Sequence, residues 1–159
     1  KVLRKPKDLI PLYPGHVIAL DTIEKQRNGR RMYLLTAIDI YSRTVFEIAT
    51  KSHSSRTFAH FFFLIMQMFP YDIKNVLTDN GSEFKLHFEA LCDSYGIKRK
   101  PTSVKNPQAN AILERVHQVL MSMLRTAELD MADSVAPSDV DAFLTNASWA
   151  ICSTYHTVP

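Results

Sequence analysis

Three acids carry the chemistry this sequence could do. Asp79 stands in Asn75-Val76-Leu77-Thr78-Asp79-Asn80-Gly81-Ser82-Glu83-Phe84. There a β-branched and apolar run gives way to an acid, a turn and a helix start. The pattern puts Asp79 at the C-terminal edge of a sheet, where open α/β folds bind ligands. Asp21 has the same setting, after Val17-Ile18-Ala19-Leu20 and before Thr22. Glu114 falls in Asn106-Pro107-Gln108-Ala109-Asn110-Ala111-Ile112-Leu113-Glu114-Arg115, on a predicted helix. Three carboxylates converging on one sheet edge suit hard divalent cations such as Mg²⁺, which take oxygen ligands. Two such ions can clamp the attacking and leaving oxygens of a phosphodiester.

The elements that must position these acids follow from pattern and punctuation. Residues 16–23 read as a strand, and Glu24 to Arg31, centred on Asn28-Gly29, as a hairpin. Met32 to Ile40 and Thr44 to Thr50 are the next two strands, joined at Tyr41-Ser42-Arg43. Ser54 or Ser55 caps an aromatic-rich helix through Met68, which Pro70 stops. Asp72 to Thr78 is the fourth strand. Ser82 caps a helix to about Tyr95, with Gly96 at its C′ position. Ile97 to Pro101 is a short fifth strand, and Thr102 to Asn106 a loop. Pro107 opens a helix to about Leu129, and Pro137 or Ser138 opens a last one ending near Cys152. That order predicts an α/β fold: one five-stranded mixed sheet with helices on both faces.

The chain has 159 residues, 46% hydrophobic and 22% charged, which fits one globular domain. Lys1 to Pro14 read as a basic, proline-containing arm, and 15–159 as the domain. A net charge of +3 is compatible with a polyanionic partner without demonstrating one. Cys92 and Cys152 are the only cysteines and form no CxxC pair, so a reducing intracellular setting is expected. The longest apolar run, Phe58 to Phe69, is too short for a membrane span and is broken by His60 and Gln67. The chain does not begin with Met and ends abruptly, as a piece of a longer protein would.

At 100° per residue, Ile112, Val116, Val119, Leu120 and Met123 fall on one helix face, the expected core face. Glu114 lies nearly opposite with Asn110, Gln118, Met121 and Arg125, and His117 at the edge. Glu114 therefore projects among polar groups. A lone Asp at a strand end is usually a turn former, and a lone Glu on a polar face is usually solvated. The ordered set of three is what argues for chemistry. Glu24, Glu47, Asp72, Asp93 and the Asp130/Asp133/Asp139/Asp141 group read as turn, surface or helix-end acids. Asp39 is the one competitor, since it also ends an apolar run; its bland role is to pair with Arg43.

Leu20-Asp21-Thr22, the Leu77 to Phe84 segment and Asn106-Pro107-Gln108-Ala109-Asn110 leading to Glu114-Arg115 resemble the retroviral-integrase catalytic core. Retroviruses, LTR retrotransposons and many insertion-sequence transposases share that core. Ile38-Asp39-Ile40-Tyr41-Ser42-Arg43 resembles its second and third strands, and the likeness runs from Pro14 onward. It implies a ribonuclease H-like fold and a site made of Asp21, Asp79 and Glu114. Thirty-four residues separate the last two, one fewer than is common in the family. Ala111 replaces a frequent Gly. Gln118 and Met121 stand where the family often has a base, which puts substrate affinity in doubt but not the metal site. The family's separate zinc-binding and C-terminal DNA-binding domains have no counterpart in this sequence.

The resemblance implies phosphoryl transfer on DNA. Asp21 would bridge two Mg²⁺ (or Mn²⁺) ions, with Asp79 completing one site and Glu114 the other. Water as nucleophile gives 3′-end processing, and a DNA 3′-hydroxyl gives strand transfer. Asn80, Gln108, Asn110, Arg115 and His117 are candidate DNA contacts by motif position, with Gln118 and Lys105 beside them. The Lys98-Arg99-Lys100 cluster reads as a solvated strand edge. The implied partners are mobile-element ends, target DNA and a second copy of the chain, with no membrane and no small-molecule substrate. The implied compartment is the nucleus for a eukaryotic retroelement and the cytoplasm for a bacterial insertion sequence. The rival readings are a decayed or domesticated core that binds DNA or a partner without catalysis, and a ribonuclease H-like nuclease. The late glutamate on a polyanion-facing helix argues against the nuclease.

Overall fold

The computed structural model describes residues 10–27, 29–101 and 107–130, with only the backbone at 25, 27, 30, 107–109, 120 and 123–130. The basic stretch up to residue 9, the 102–106 loop with Lys105, and the last helix of the sequence reading lie outside the described residues.

Strands β1 (Val17–Arg27), β2 (Arg30–Asp39), β3 (Val45–Thr50), β4 (Asn75–Thr78) and β5 (Lys98–Pro101) form one sheet in the order β3-β2-β1-β4-β5. β1, β2 and β3 make an antiparallel meander, while β4 and β5 run parallel to β1. Side chains alternate along each strand, so β1 feeds two cores. Ile18 and Leu20 pack under α1 (Ser55–Met68) and α2 (Leu86–Ser94), with Phe58, Phe62, Phe88 and Cys92. Val17 and Ala19 pack on the other face with Ile112, Leu113 and Val116 of α3 (Pro107–Asp130). The helices flank both faces, as the element order predicted. No helix among the described residues is long and apolar enough to cross a membrane.

Several local expectations change. The first strand is longer than the apolar run suggested, because the hairpin is a ladder to its tip, with Arg27 opposite Arg30. Asp21 therefore sits inside β1. The segment after Gly81 is two pieces, a 3₁₀ turn (Ser82–Phe84) and then α2, and no side-chain cap comes from Ser82. α2 is capped from outside: Ser55 Oγ accepts from Phe88 N at 3.1 Å and donates to the Lys85 carbonyl. Ser54 caps α1, accepting from Thr57 N at 3.2 Å. The two adjacent serines thus serve two helices. Gly96, at φ 66°, follows α2 where the sequence placed it.

Asp39 is fully buried and does not pair with Arg43 through its carboxylate. Its Oδ1 accepts from Gly15 N at 3.1 Å, and its Oδ2 accepts from the Ser42 backbone and hydroxyl. That occupation makes it a turn anchor and removes it as a metal ligand. Glu47 is not a surface acid. It lies half-buried on β3 and accepts from Thr36 Oγ1 at 3.2 Å. Among the described residues of α3, Ile112, Leu113 and Val116 are buried, while Val119 is 40% exposed. Leu113, which the helical wheel did not put in the stripe, packs with Val17, Ala19 and Leu77.

Candidate active site

The parallel pairing of β1 with β4 sets the site. Ala19 lies opposite Leu77, and both point toward α3. Two residues further along the chain come Asp21, still on β1 and on that same face, and Asp79, just past the end of β4. β4 ends at Thr78, so Asp79 opens into solvent, while β1 continues and keeps Asp21 half-buried. Above them α3 carries Asn110, Leu113, Glu114, His117, Gln118, Met121 and Ser122. These line one cavity of about 590 Å³ together with Leu20, Asp21 and Asp79. The three acids picked from the sequence thus meet in one place, with Glu114 exposed on the helix wall.

The carboxylates are held unequally. Asp79 Oδ1 accepts from Gly81 N at 2.9 Å, an Asx-type turn that fixes one oxygen. Asp21 Oδ1 accepts from Thr22 N at 2.9 Å. Burial raises the pKa of Asp21. The Thr22 N–H and His117 oppose that rise, and the nearby Asp79 and Glu83 add to it. His117 Nε2 lies 3.6 Å from Asp21 Oδ2, too far for a hydrogen bond. That nitrogen is buried and has no hydrogen-bond partner among the described residues, and burial lowers the imidazole pKa.

A divalent cation fits this donor set in kind. Negative charge collects around a half-desolvated Asp21, a buried polar nitrogen stands unsatisfied beside it, and the three acids offer only hard oxygen ligands. The side chains are not drawn together into a cage, for among the described residues no three His, Cys, Asp or Glu groups stand close enough to hold an ion.

The integrase core domain model matches residues 12–107. The chain belongs to that family. The matched span includes Asp21 and Asp79 and ends before Glu114. Within the integrase core family, a retrovirus-related Pol polyprotein from transposon TNT 1-94 of Nicotiana tabacum is 32% identical over 114 residues. That match covers 67% of this chain but only 9% of the polyprotein, so the chain spans about a tenth of that relative's length. The HTLV-2 integrase catalytic core in complex with magnesium, solved in trimeric and dimeric forms, superposes with a TM-score of 0.72 at 21% identity. For the trimeric form, 87% of this chain and 86% of that one are covered. The BIV integrase catalytic core gives 0.67 at 23% identity over 86% and 82%. These likenesses establish the ribonuclease H-like fold.

The integrase core of this chain places the other sequence-picked residues unevenly. Asn110, His117 and Gln118 line the cavity. Asn80 is exposed beside it, and Arg115 is exposed on α3 outside that lining. The Gln108 side chain and Lys105 lie outside the described residues. Of the basic edge strand, Arg99 is tied to Glu89 and Asp93 at 3.1 Å each. Sequence reasoning did not single out Glu83, which is 4% exposed although it directly follows an exposed turn. It also did not single out His53, which pairs with it. Only proximity in three dimensions reveals either one.

Proposed function

We propose that this chain is the catalytic core of a DNA integrase or transposase that performs 3′-end processing and strand transfer by phosphodiester transesterification. The observation that carries the reading is the β1–β4 register, which sets Asp21 beside Asp79 under the helix that bears Glu114. Asp21, Asp79 and Glu114 are the residues that would hold two Mg²⁺ or Mn²⁺ ions. When bound, such ions activate water or a DNA 3′-hydroxyl as nucleophile and stabilise the leaving oxygen.

The protein's own contribution is placement. The Gly81 N–H fixes one Asp79 oxygen and leaves the other to a ligand. Burial of Asp21 on β1 excludes water from one side of the acid pair. His117, beside the Asp21 carboxylate in the cavity lining, would be a hydrogen-bonding group for a bound phosphate. Asn110 and Gln118 offer neutral hydrogen-bond donors along the α3 wall, and Asn80 does so at the rim. Arg115, Gln108 and Lys105 extend the proposed DNA path by motif position. Element ends and target DNA are the proposed substrates, a homodimer or larger assembly the proposed working form, and residues 15–159 the proposed domain. The proposed compartment follows the host of the element.

Gln118 and Met121 favour a second reading, a core that binds DNA or a partner without turnover. They give the cavity wall no cation where the family often has one. A disintegration assay on branched DNA with Mg²⁺ or Mn²⁺ separates the two. Activity in the wild-type chain that vanishes in Asp79→Asn supports the enzyme. DNA binding with no metal-dependent turnover in either protein supports the binder and overturns the proposal.

A further inference from the structure

Glu83 holds a buried carboxylate four residues after Asp79, and such a group is costly unless partnered. Its partner is His53, whose Nε2 stands 3.1 Å from Glu83 Oε2. The imidazole is itself gripped. It stacks on Tyr33 of β2 with centroids 4.5 Å apart, and meets the edge of Phe58 of α1 at 5.8 Å. Phe58 in turn contacts Phe84, the residue after Glu83, at 5.9 Å. On its other side the Glu83 carboxylate lies against Gly81. The Gly81 backbone, at φ −61° and ψ 146°, is open to any residue. A Cβ there would come within 2.5 Å of Glu83 Oε2. Any side chain at 81 would therefore have to push the Glu83 carboxylate aside. Gly81 N then donates to Asp79 Oδ1.

We propose that His53 and Glu83 form a brace that holds the Asp79–Gly81 turn from behind and so sets the divalent-metal affinity of the acid cluster. His53 acts as a positioning residue, through Glu83 and Gly81. This rests on the metal-site reading of Asp21, Asp79 and Glu114. Outer-shell partners of this kind typically change metal affinity 10- to 100-fold when removed.

The test is a Mn²⁺ titration of the 159-residue chain, with free Mn²⁺ read by electron paramagnetic resonance and thermal stability read in parallel. Asp79→Asn is the control for the site itself. If the wild type binds no Mn²⁺, or Asp79→Asn binds it equally well, the metal-site reading fails and the brace with it. If Asp79→Asn loses binding, the brace is tested separately. His53→Leu should then weaken Mn²⁺ about tenfold or more. His53→Gln, whose amide N–H reaches about as far as Nε2, should restore affinity to within a few-fold of wild type. Folded His53→Leu with wild-type affinity, or His53→Gln as weak as His53→Leu, overturns the proposal. Gly81→Ala tests the link from the other end without touching His53. Its Cβ must displace the Glu83 carboxylate and lower affinity by a similar factor. Unchanged affinity in Gly81→Ala overturns the brace even if the His53 variants do not fold.

Discussion

Replacing Glu47 by glutamine should flatten the acid-to-neutral stability profile of this protein. Glu47 sits on β3 opposite Thr36 of β2, which in turn lies opposite Asp21 of β1. Its Oε1 accepts from Thr36, and its Oε2 is buried without a hydrogen-bond partner among the described residues. Desolvation pushes its pKa from 4.5 up to about 7, against the lowering effect of the Thr36 hydroxyl. The folded chain therefore holds this proton more tightly than the unfolded chain. Stability from this group is fully present below pH 4.5 and is lost as pH rises through about 7. At 1.36 kcal/mol per pKa unit, the loss is at most about 3 kcal/mol. The side-chain amide of Glu47→Gln would keep the shape and the acceptor for Thr36 without ionising. Urea unfolding of both proteins at pH 4.5, 6, 7 and 8 measures the difference, in which Asp21 and His117 cancel. The variant should equal wild type at pH 4.5 and exceed it by up to about 3 kcal/mol at pH 8. A flat difference curve, or a variant weaker than wild type at pH 8, would refute the reasoning.

Other outcomes follow from the same contacts. Asp21→Asn should abolish metal-dependent activity yet raise the melting temperature at pH 7, because it removes a desolvated charge crowded by Asp79 and Glu83; scanning fluorimetry beside the disintegration assay reads both. Ser54→Ala removes the α1 cap and should cost about 1 kcal/mol in urea unfolding. Phe62→Ala empties a fully buried site against Phe88 and should cost about 3–5 kcal/mol by the same measure.

The sheet and helices were legible because their cues are local. Apolar runs, the Asn28-Gly29 turn, Pro70, Gly96 and Pro107 punctuate the chain with residues whose backbone preferences are intrinsic. Asp21 and Asp79 were legible because each ends an apolar run, although Asp21 lies inside a strand whose polar half the pattern could not extend. The split between the 3₁₀ turn and α2 was hidden because Ser55 of another helix supplies the cap. Val119 was misplaced because a helical wheel gives spacing, while packing against the sheet, which buries Ile112, Leu113 and Val116, decides which side is covered. Glu47 and Glu83 were illegible for one reason: charge predicts exposure, and only a distant Thr36 or His53 makes burial tolerable. The three candidate acids could be ordered along the chain from sequence, but their lining one cavity rests on the Ala19–Leu77 pairing.

Anomalous diffraction from crystals of this chain grown with Mn²⁺ would show whether the acids hold a metal. A peak is expected in the α3 cavity with carboxylate oxygens of Asp21 and Asp79 at coordination distance, about 2.0–2.6 Å, and with Glu114 turned inward on addition of DNA. A well-occupied Mn²⁺ peak elsewhere with the Asp21–Asp79 pair empty would contradict the metal-site reading.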